Sequence, residues 1–167
     1  MFSQTSEYVL RVVVFLASQG DAPATTQQIA AATHVPAGYL SKLLQGLGRA
    51  GIVRSQRGLH GGSVLARSAE GLSVFDVIAP FDPVPRIRTC PLGLKSHGVN
   101  LCPLHRRLDD AMTMVEKAFR DSTIADLLRE PTTSTPLCET PELAADRQAK
   151  ATPVTVAGRK APAARKR

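Results

Sequence analysis

Hydrophobic residues recur at helical spacing in the first part of the chain. Residues 7–18 are almost wholly apolar and are followed by Gly20, which predicts a largely buried helix that stops near the glycine. A second, shorter helix is predicted to begin after a cap at Thr25 or Thr26 and to end near Thr33.

A third helix is predicted between Pro36, near its first turn, and Gly51, which stops it. One face carries Leu40, Leu43, Leu44 and Leu47. The opposite face carries Ser41, Lys42 and Gln45. With His34 as a turn residue between the two helices, this pattern is typical of a helix-turn-helix, whose second helix enters the major groove of DNA. We call this second helix the reading helix.

Two short strands are predicted after the reading helix, at residues 52–54 and 63–65. Residues 57–62, which are basic and rich in glycine, fit the tip of a hairpin between them. Such a hairpin would be the wing of a winged helix, so the fold class is predicted as mainly α with a small β-wing.

The charge pattern around the reading helix favours a polyanionic partner. Residues 22–69 contain no Asp or Glu. Their cations are Lys42, Arg49, Arg54, Arg57 and Arg67. A cation that approaches a phosphate releases condensed counterions, so this surface favours DNA over the alternative of a solvated helix pair with a chance imbalance. The formal net charge of +7 favours the same partner.

A short helix is predicted over residues 73–79, with Ser73 and Asp76 as a pair that resembles a capping box. Three prolines follow it, and residues 86–100 show no periodicity, so they are predicted as a loop.

A long amphipathic helix is predicted over residues 101–121, followed by a short turn at 123–129. Its apolar stripe consists of Leu104, Leu108, Ala111, Met112, Val115 and Phe119. A second copy of the chain would bury this stripe and present two reading helices to a two-fold symmetric DNA site. The alternative is that the helix packs only on its own domain.

Residues 131–167 are rich in Pro, Thr and Ala and are predicted to be disordered. Their basic end either contacts DNA phosphates without sequence preference or only aids solubility. The predicted organisation is therefore a DNA-binding domain at 1–80, a cysteine loop with a dimerisation helix at 81–130, and the tail.

Composition also bounds the cellular setting. No apolar run approaches the length of a membrane span, and the N-terminus lacks a signal-peptide pattern, so a cytosolic protein is expected. In that setting the three cysteines are expected to be thiols or metal ligands and not disulfides.

Three stretches resemble the Rrf2 family of bacterial winged-helix regulators, namely 7–11 (EYVLR), 39–44 (YLSKLL) and 47–65 (LGRAGIVRSQRGLHGGSVL). That family includes the iron–sulfur assembly regulator, the nitric-oxide-sensitive repressor and the cysteine-metabolism repressor. The resemblance spans residues 1–130 and implies a homodimer with a long crossing helix that binds a specific double-stranded operator.

The resemblance also implies roles in DNA binding. Arg57 is expected to probe the minor groove and Tyr39 to help contact the DNA backbone. Apart from the resemblance, His60 at the wing tip is expected to contact a phosphate and not to be a metal ligand. The predicted DNA-binding residues are Thr26, Tyr39, Ser41, Lys42, Gln45, Arg54, Arg57, Gly58 and His60.

Many members of the family hold an iron–sulfur cluster through three cysteines in the loop before the long helix. Here Cys90 and Cys102 keep a similar separation, whereas Ser96 and His97 lie where the middle cysteine would be. His105 follows Cys102 by three residues, as a ligating histidine does in one branch of the family.

Glu7 lies where some members use a first-helix carboxylate of the partner subunit as a ligand. The ligands implied for a 2Fe–2S cluster are therefore Cys90, Cys102, His105 and the partner subunit's Glu7. Imidazole replaces thiolate at some two-iron clusters, so this set is chemically sensible. Cys138 lies in the tail and is not expected to be a ligand.

Three alternatives for the loop remain open. Cys90, His97, Cys102 and His105 could hold zinc, although their spacing differs from that of a zinc finger. Cys90 and Cys102 could form a thiol switch. The loop could also bind no cofactor.

Together these features predict a homodimeric DNA-binding transcription regulator, expected to be a repressor that senses redox state, nitric oxide or iron–sulfur supply. A winged helix used for protein contacts is the main rival, but it would not need a surface free of carboxylates. An enzyme is not predicted, because no nucleophile–base pair or substrate pocket is evident.

Overall fold

The computed structural model describes residues 3–56, 58, 61–94 and 100–130. These residues form six helices and a two-stranded antiparallel sheet. The elements are α1 (Gln4–Ser18), α2 (Thr26–Thr33), α3 (Ala37–Arg49), β1 (Val53–Gln56), β2 (Gly62–Leu65), α4 (Val74–Ile78), α5 (Pro103–Asp121) and α6 (Ile124–Arg129). The predicted fold class, mainly helical with a small wing, is confirmed.

Helix α1 runs through the centre of the core. The side chains of Val9, Val12 and Val13 are fully buried, since α2, α4, α6 and the wing all pack around this helix. It begins three residues earlier than predicted because the Ser3 side chain caps it by accepting a hydrogen bond from the backbone N–H of Ser6.

The helix-turn-helix is built from α2 and α3. Thr25, and not Thr26, caps α2, and Gln28 completes a capping box. His34 ends α2 in the left-handed region at φ 54°, which confirms it as the turn residue. Pro36 takes the N-cap position of α3, one residue before the helix. The four leucines of α3 are buried, as predicted.

The end of α3 explains why the strands differ from their predicted bounds. The N–H of Gly51 donates to the carbonyl of Gly48, and the N–H of Ile52 donates to the carbonyl of Leu47, which forms a Schellman motif. Ile52 therefore belongs to the helix end, and β1 starts at Val53 and extends to Gln56. Gly51 has φ 68°, as this motif requires.

The wing pairs β1 with β2 in the register Val53↔Leu65 and Gln56↔Gly62. Ala24 forms an isolated bridge to Ser63, which fixes the wing to the segment before α2. A side chain at Gly62 would lie 2.8 Å from the carbonyl oxygen of Ala24, so the close approach of these two backbones requires glycine.

Helices α4 and α6 close the core. Ser73 caps α4 in a capping box with Asp76, as the sequence predicted. Thr123 caps α6 in the same way with Asp126, and Ser73 and Thr123 form a β-bridge. The segment predicted as a short turn is thus a helix, and Ile124 is fully buried beside α1.

Helix α5 contributes no buried residue to a single chain. Leu104, Leu108 and Val115 are exposed at 63%, 43% and 40%. Phe119, one turn after Val115, packs against the core, and Arg120 lies over the Phe75 ring at 3.6 Å. The stripe is therefore covered at its C-terminal end and open along the rest. Within the described residues, no helix has the length and apolar character needed to cross a bilayer.

Candidate nucleic-acid interface

The reading face of α3 is polar and open. Ser41, Lys42 and Gln45 are exposed, because the leucines of the same helix turn toward the core. Arg49 at the end of the helix and Arg54 on β1 are exposed as well. Ser41 of the reading helix and Ser55 and Gln56 of β1 line one groove, so the reading helix and the wing border the same part of the surface.

A polar groove of about 370 Å³ lies between the start of α2, the reading helix and the wing. Its lining residues are Thr25, Thr26, Ser41, Leu44, Ser55, Gln56, Gly58, Gly61, Gly62 and Ser63. The hydroxyl oxygens of Ser55 and Ser63 lie 2.9 Å apart across the sheet. Hydroxyl groups and backbone amides bind phosphate oxygens, and none of the described residues that line this groove carries a carboxylate.

Part of the predicted wing tip can be placed and part cannot. Gly58 is exposed and has φ 117°, a conformation that favours glycine. Arg57 and His60 lie outside the described residues, so their predicted DNA contacts stay predictions. Arg67 donates a hydrogen bond to the carbonyl of Gly71 and lies 3.7 Å from Asp76, so this cation is engaged with the loop after β2 and with α4.

Tyr39, predicted to contact the DNA backbone, is half-buried at the start of α3. Its hydroxyl oxygen lies 2.9 Å from that of Thr5 on α1, and its ring meets the Tyr8 ring edge-on at 6.1 Å between centroids. Tyr39 therefore fixes the start of the reading helix to α1, a role that its sequence position did not reveal.

Arg11 is a second positioning residue that the sequence did not single out. It pairs with Glu7 one turn earlier and donates from Nη1 to the carbonyl of Thr33 at 3.2 Å. It thereby joins α1 to the last turn of α2, next to the turn at His34. The predicted ligand Glu7 is exposed and, within the chain, forms an ion pair with Arg11.

The cysteine loop places two of its predicted ligands together. Cys102 is the N-cap residue of α5, and its Sγ lies 3.4 Å from Nδ1 of His105. Cys90 is almost fully buried. Among the described residues, no three His, Cys, Asp or Glu side chains come together as a metal site. Ser96, His97 and Cys138 lie outside those residues.

The described residues of one chain therefore fit a metal centre only in part. A structural zinc ion takes four protein ligands, and a 2Fe–2S cluster is also held by four. The Cys102–His105 pair supplies two such groups on one helical turn. The remainder would have to come from Cys90, from segment 95–99 or from a partner subunit.

A helix-turn-helix, a two-stranded wing and a reading face without carboxylates define a winged-helix protein that binds DNA. The sequence profile of the Rrf2 family, described as "Iron-dependent Transcriptional regulator", matches residues 2–130. The chain therefore belongs to the Rrf2 family of transcriptional regulators and is not an enzyme.

The chain is also similar to individual proteins, one by sequence and two by structure. An Aquifex aeolicus (strain VF5) protein described as a "Putative HTH-type transcriptional regulator" is 27% identical over 131 residues, which cover 77% of this chain and 91% of that protein. IscR of T. potens has the same fold, with a TM-score of 0.66 and 24% identity over 79% of this chain and 88% of its own. CymR, the global cysteine regulator of B. subtilis, gives a TM-score of 0.63 and 27% identity, and the match covers 76% of this chain and 95% of CymR.

Proposed function

We propose that this regulator is a homodimeric repressor that reads a two-fold symmetric operator with its two α3 helices. The observation that carries the proposal is the open stripe of α5, in a chain whose described residues already include the helix-turn-helix and both strands of the wing. A single reading helix covers few base pairs, whereas a dimer reads two half-sites.

The dimer contact is proposed along the stripe of α5. A 19-residue helix is about 28 Å long, enough for several turns of contact with a second copy. In that contact the exposed leucines and Val115 would be removed from water. Burial of apolar surface is the main favourable term in association. The stripe is continuous along the helix, so a helix from a second copy is the occupant that matches its shape.

On DNA, Ser41, Lys42 and Gln45 are proposed to face the base edges of the major groove. Thr26 and the groove beside it would receive the backbone phosphates, which fix the register of the protein on the duplex. Arg54, together with Arg57, Gly58 and His60 of the wing, would contact the neighbouring backbone and minor groove. A dimer bound over a promoter would repress by excluding the polymerase.

The test is selection of operator sequences from random double-stranded DNA, followed by footprinting and a salt titration. We expect a two-fold symmetric site, an affinity that falls steeply with salt, and relaxed preference at defined positions in Gln45→Ala. Lys117→Ala is the control, because Lys117 is an exposed cation that pairs with Asp121 on α5. Binding without sequence preference or salt dependence would instead support a protein-interaction module.

A sensory role for the cysteine loop is proposed on the Cys102–His105 pair. This pair begins α5, the helix that carries the dimer stripe, so a ligand bound here would stiffen the start of that helix. We propose a 2Fe–2S cluster on Cys90, Cys102 and His105 with the partner subunit's Glu7, which would make the protein responsive to redox state, nitric oxide or iron–sulfur supply. Zinc, a Cys90–Cys102 thiol switch and an empty loop are the alternatives.

Metal analysis separates these alternatives. Protein purified without oxygen is assayed for absorbance, iron, sulfide and zinc, with Cys102→Ala beside it and Cys138→Ala as the matched control. Iron and sulfide that are lost in Cys102→Ala and kept in Cys138→Ala support the cluster. Stoichiometric zinc makes the loop a zinc site, and metal-free protein after reconstitution leaves a thiol switch or an empty loop.

A further inference from the structure

Helix α3 contains three glycines, although glycine destabilises a helix interior. A Cβ added at Gly38 would meet no atom within 4 Å, and one at Gly48 would lie 3.7 Å from the carbonyl oxygen of Val53, an ordinary contact. At Gly46 the added Cβ would lie 2.5 Å from Cε1 and 2.7 Å from Cζ of Phe81. Gly46 is therefore the glycine of α3 against which another side chain packs closely, and the atoms that approach it belong to the outer end of the Phe81 ring.

Phe81 is held in place from behind. The N–H groups of Phe81 and Asp82 both donate to the carbonyl of Ile78 at 2.9 Å, so the chain turns tightly after α4. The carboxylate of Asp82 accepts hydrogen bonds from the backbone N–H of Ser3 at 3.4 Å and from the hydroxyl of Ser6 at 2.9 Å. The backbone at Phe81 is thus held beside the start of α1, while its ring packs against the reading helix.

The same segment is attached to α5 at its other end. Arg86 donates two hydrogen bonds of 2.7 Å to the two carboxylate oxygens of Asp109, and the N–H of Ile87 donates to one of them at 2.8 Å. Arg86 also lies 3.7 Å from Glu116, two turns further along α5. A bidentate fork of this kind fixes orientation as well as distance.

Residues 81–86, which we call the strut, are short and stiff. Pro83 and Pro85 have fixed φ angles and restrict the residues before them. Six residues span at most about 20 Å, so a displacement of the Asp109 end reaches the Phe81 end with little slack.

We propose that the strut couples α5 and the cysteine loop to the reading helix, with the Phe81–Gly46 contact as the point at which α3 is positioned. The inference rests on the proposed reading role of α3 for its effect on DNA. The coupling itself is a property of the free protein, so it can be measured without an operator.

The first experiment tests the contact. We expect Gly46→Ala to lower operator affinity about tenfold and to leave nonspecific DNA affinity unchanged, a typical coupling for displaced elements. Gly48→Ala, the matched control, should leave operator affinity nearly unchanged, because its added Cβ makes only an ordinary contact of 3.7 Å. Phe81→Leu in the Gly46→Ala chain removes the clash and should recover most of the loss. Equal affinities for Gly46→Ala and Gly48→Ala, with both folded by thermal melting, would overturn the role of the contact.

The second experiment tests transmission in DNA-free protein by amide hydrogen exchange. Asp109→Asn weakens the hydrogen bonds from Arg86, and in an otherwise wild-type chain it should raise amide exchange across α3. In a Phe81→Leu chain the Phe81–Gly46 contact is already altered, so Asp109→Asn should cause no further rise there. Arg129→Ala breaks the exposed Arg129–Glu70 pair outside the strut and should leave α3 unchanged.

The two proposals fail in different ways. An equal rise of amide exchange in α3 in both backgrounds, or no rise in either, would overturn the proposed coupling through the strut even if the protein binds its operator well. A rise confined to the wild-type background supports the strut, and lack of any preferred DNA sequence would then count against the proposed reading function alone.

Discussion

The hydroxyl oxygens of Thr5 and Tyr39 lie 2.9 Å apart and join the first turn of α1 to the first turn of the reading helix. The edge-on Tyr8 ring supports the same junction. The start of α3, which is the part of a recognition helix that approaches the bases, is therefore oriented by α1, the helix at the centre of the core.

This junction allows the structural and DNA-binding roles of Tyr39 to be separated. Tyr39→Phe and Thr5→Val each remove the hydrogen bond, and each should lower the free energy of unfolding by about 0.5–1.5 kcal/mol. A phosphate contact by the Tyr39 hydroxyl would be lost in Tyr39→Phe alone, so we expect this variant alone to lower operator affinity. Urea unfolding and a shift assay check the two effects, and an equal affinity loss in both variants would make Tyr39 purely structural.

Lys42 and Arg54 should contribute to the salt dependence of DNA binding. Both side chains are exposed, Lys42 on the reading helix and Arg54 on β1. Arg54 is proposed to contact the backbone, and Lys42, although proposed to face the base edges, is long enough to neutralise a neighbouring phosphate as well. Lys42→Ala and Arg54→Ala should then each reduce the slope of log affinity against log salt by about 1. Fluorescence anisotropy across a salt series measures this slope, and an unchanged slope in either variant removes that residue from the phosphate contacts.

The stripe of α5 should govern the oligomeric state. Val115→Glu places a carboxylate within the proposed dimer contact, where it would lose water without gaining a partner, so the dimer should dissociate to monomers. Met114, exposed at 69%, is the matched control, because its position on the helix lies outside the stripe. Sedimentation velocity distinguishes the outcomes. Dissociation by Met114→Glu, or an intact dimer in Val115→Glu, would place the contact elsewhere.

Asp109 should make the attachment of the strut to α5 sensitive to acid. Hydrogen bonds from Arg86 and from the N–H of Ile87 lower the pKa of Asp109 to about 2. Because the pKa in the folded protein lies below that of the unfolded chain, near 4, the ionised carboxylate stabilises the fold above about pH 4, and this contribution is lost as the pH falls toward 2.

Unfolding curves of the wild type and Asp109→Asn between pH 7 and pH 2 measure this contribution. We expect a constant difference in the unfolding midpoint at neutral pH that narrows below about pH 4, where the unfolded-state carboxyl takes up its proton. A difference that does not depend on pH would mean that Asp109 acts through packing and not through its charge.

Much of the fold could be predicted from the sequence because its signals are local. The leucine face of α3, the cap of α4 at Ser73 and the stop at Gly51 each depend on residues a few positions apart. Such signals act through helical periodicity and through backbone groups that need a partner within one turn. The family resemblance rested on local stretches as well, and the profile match over residues 2–130 confirmed it.

The errors at element boundaries have a physical cause. Ile52 has the character of a strand residue, but its N–H completes the end of α3, so the strand begins one residue later. The segment after Thr123 was predicted as a turn, and the core made it a helix by burying Ile124 beside α1. In both places a contact made in three dimensions overrode local propensity.

The sequence by itself determined the class of the protein: a winged helix-turn-helix with an acid-free reading surface and a long apolar stripe, because periodicity and charge are written along the chain. Tertiary structure alone decided which distant side chains meet. Thr5 meets Tyr39, Gly46 meets Phe81 and Arg86 meets Asp109, each pair more than 20 residues apart in the chain. These contacts depend on how helices pack around one core, and no local pattern encodes that arrangement.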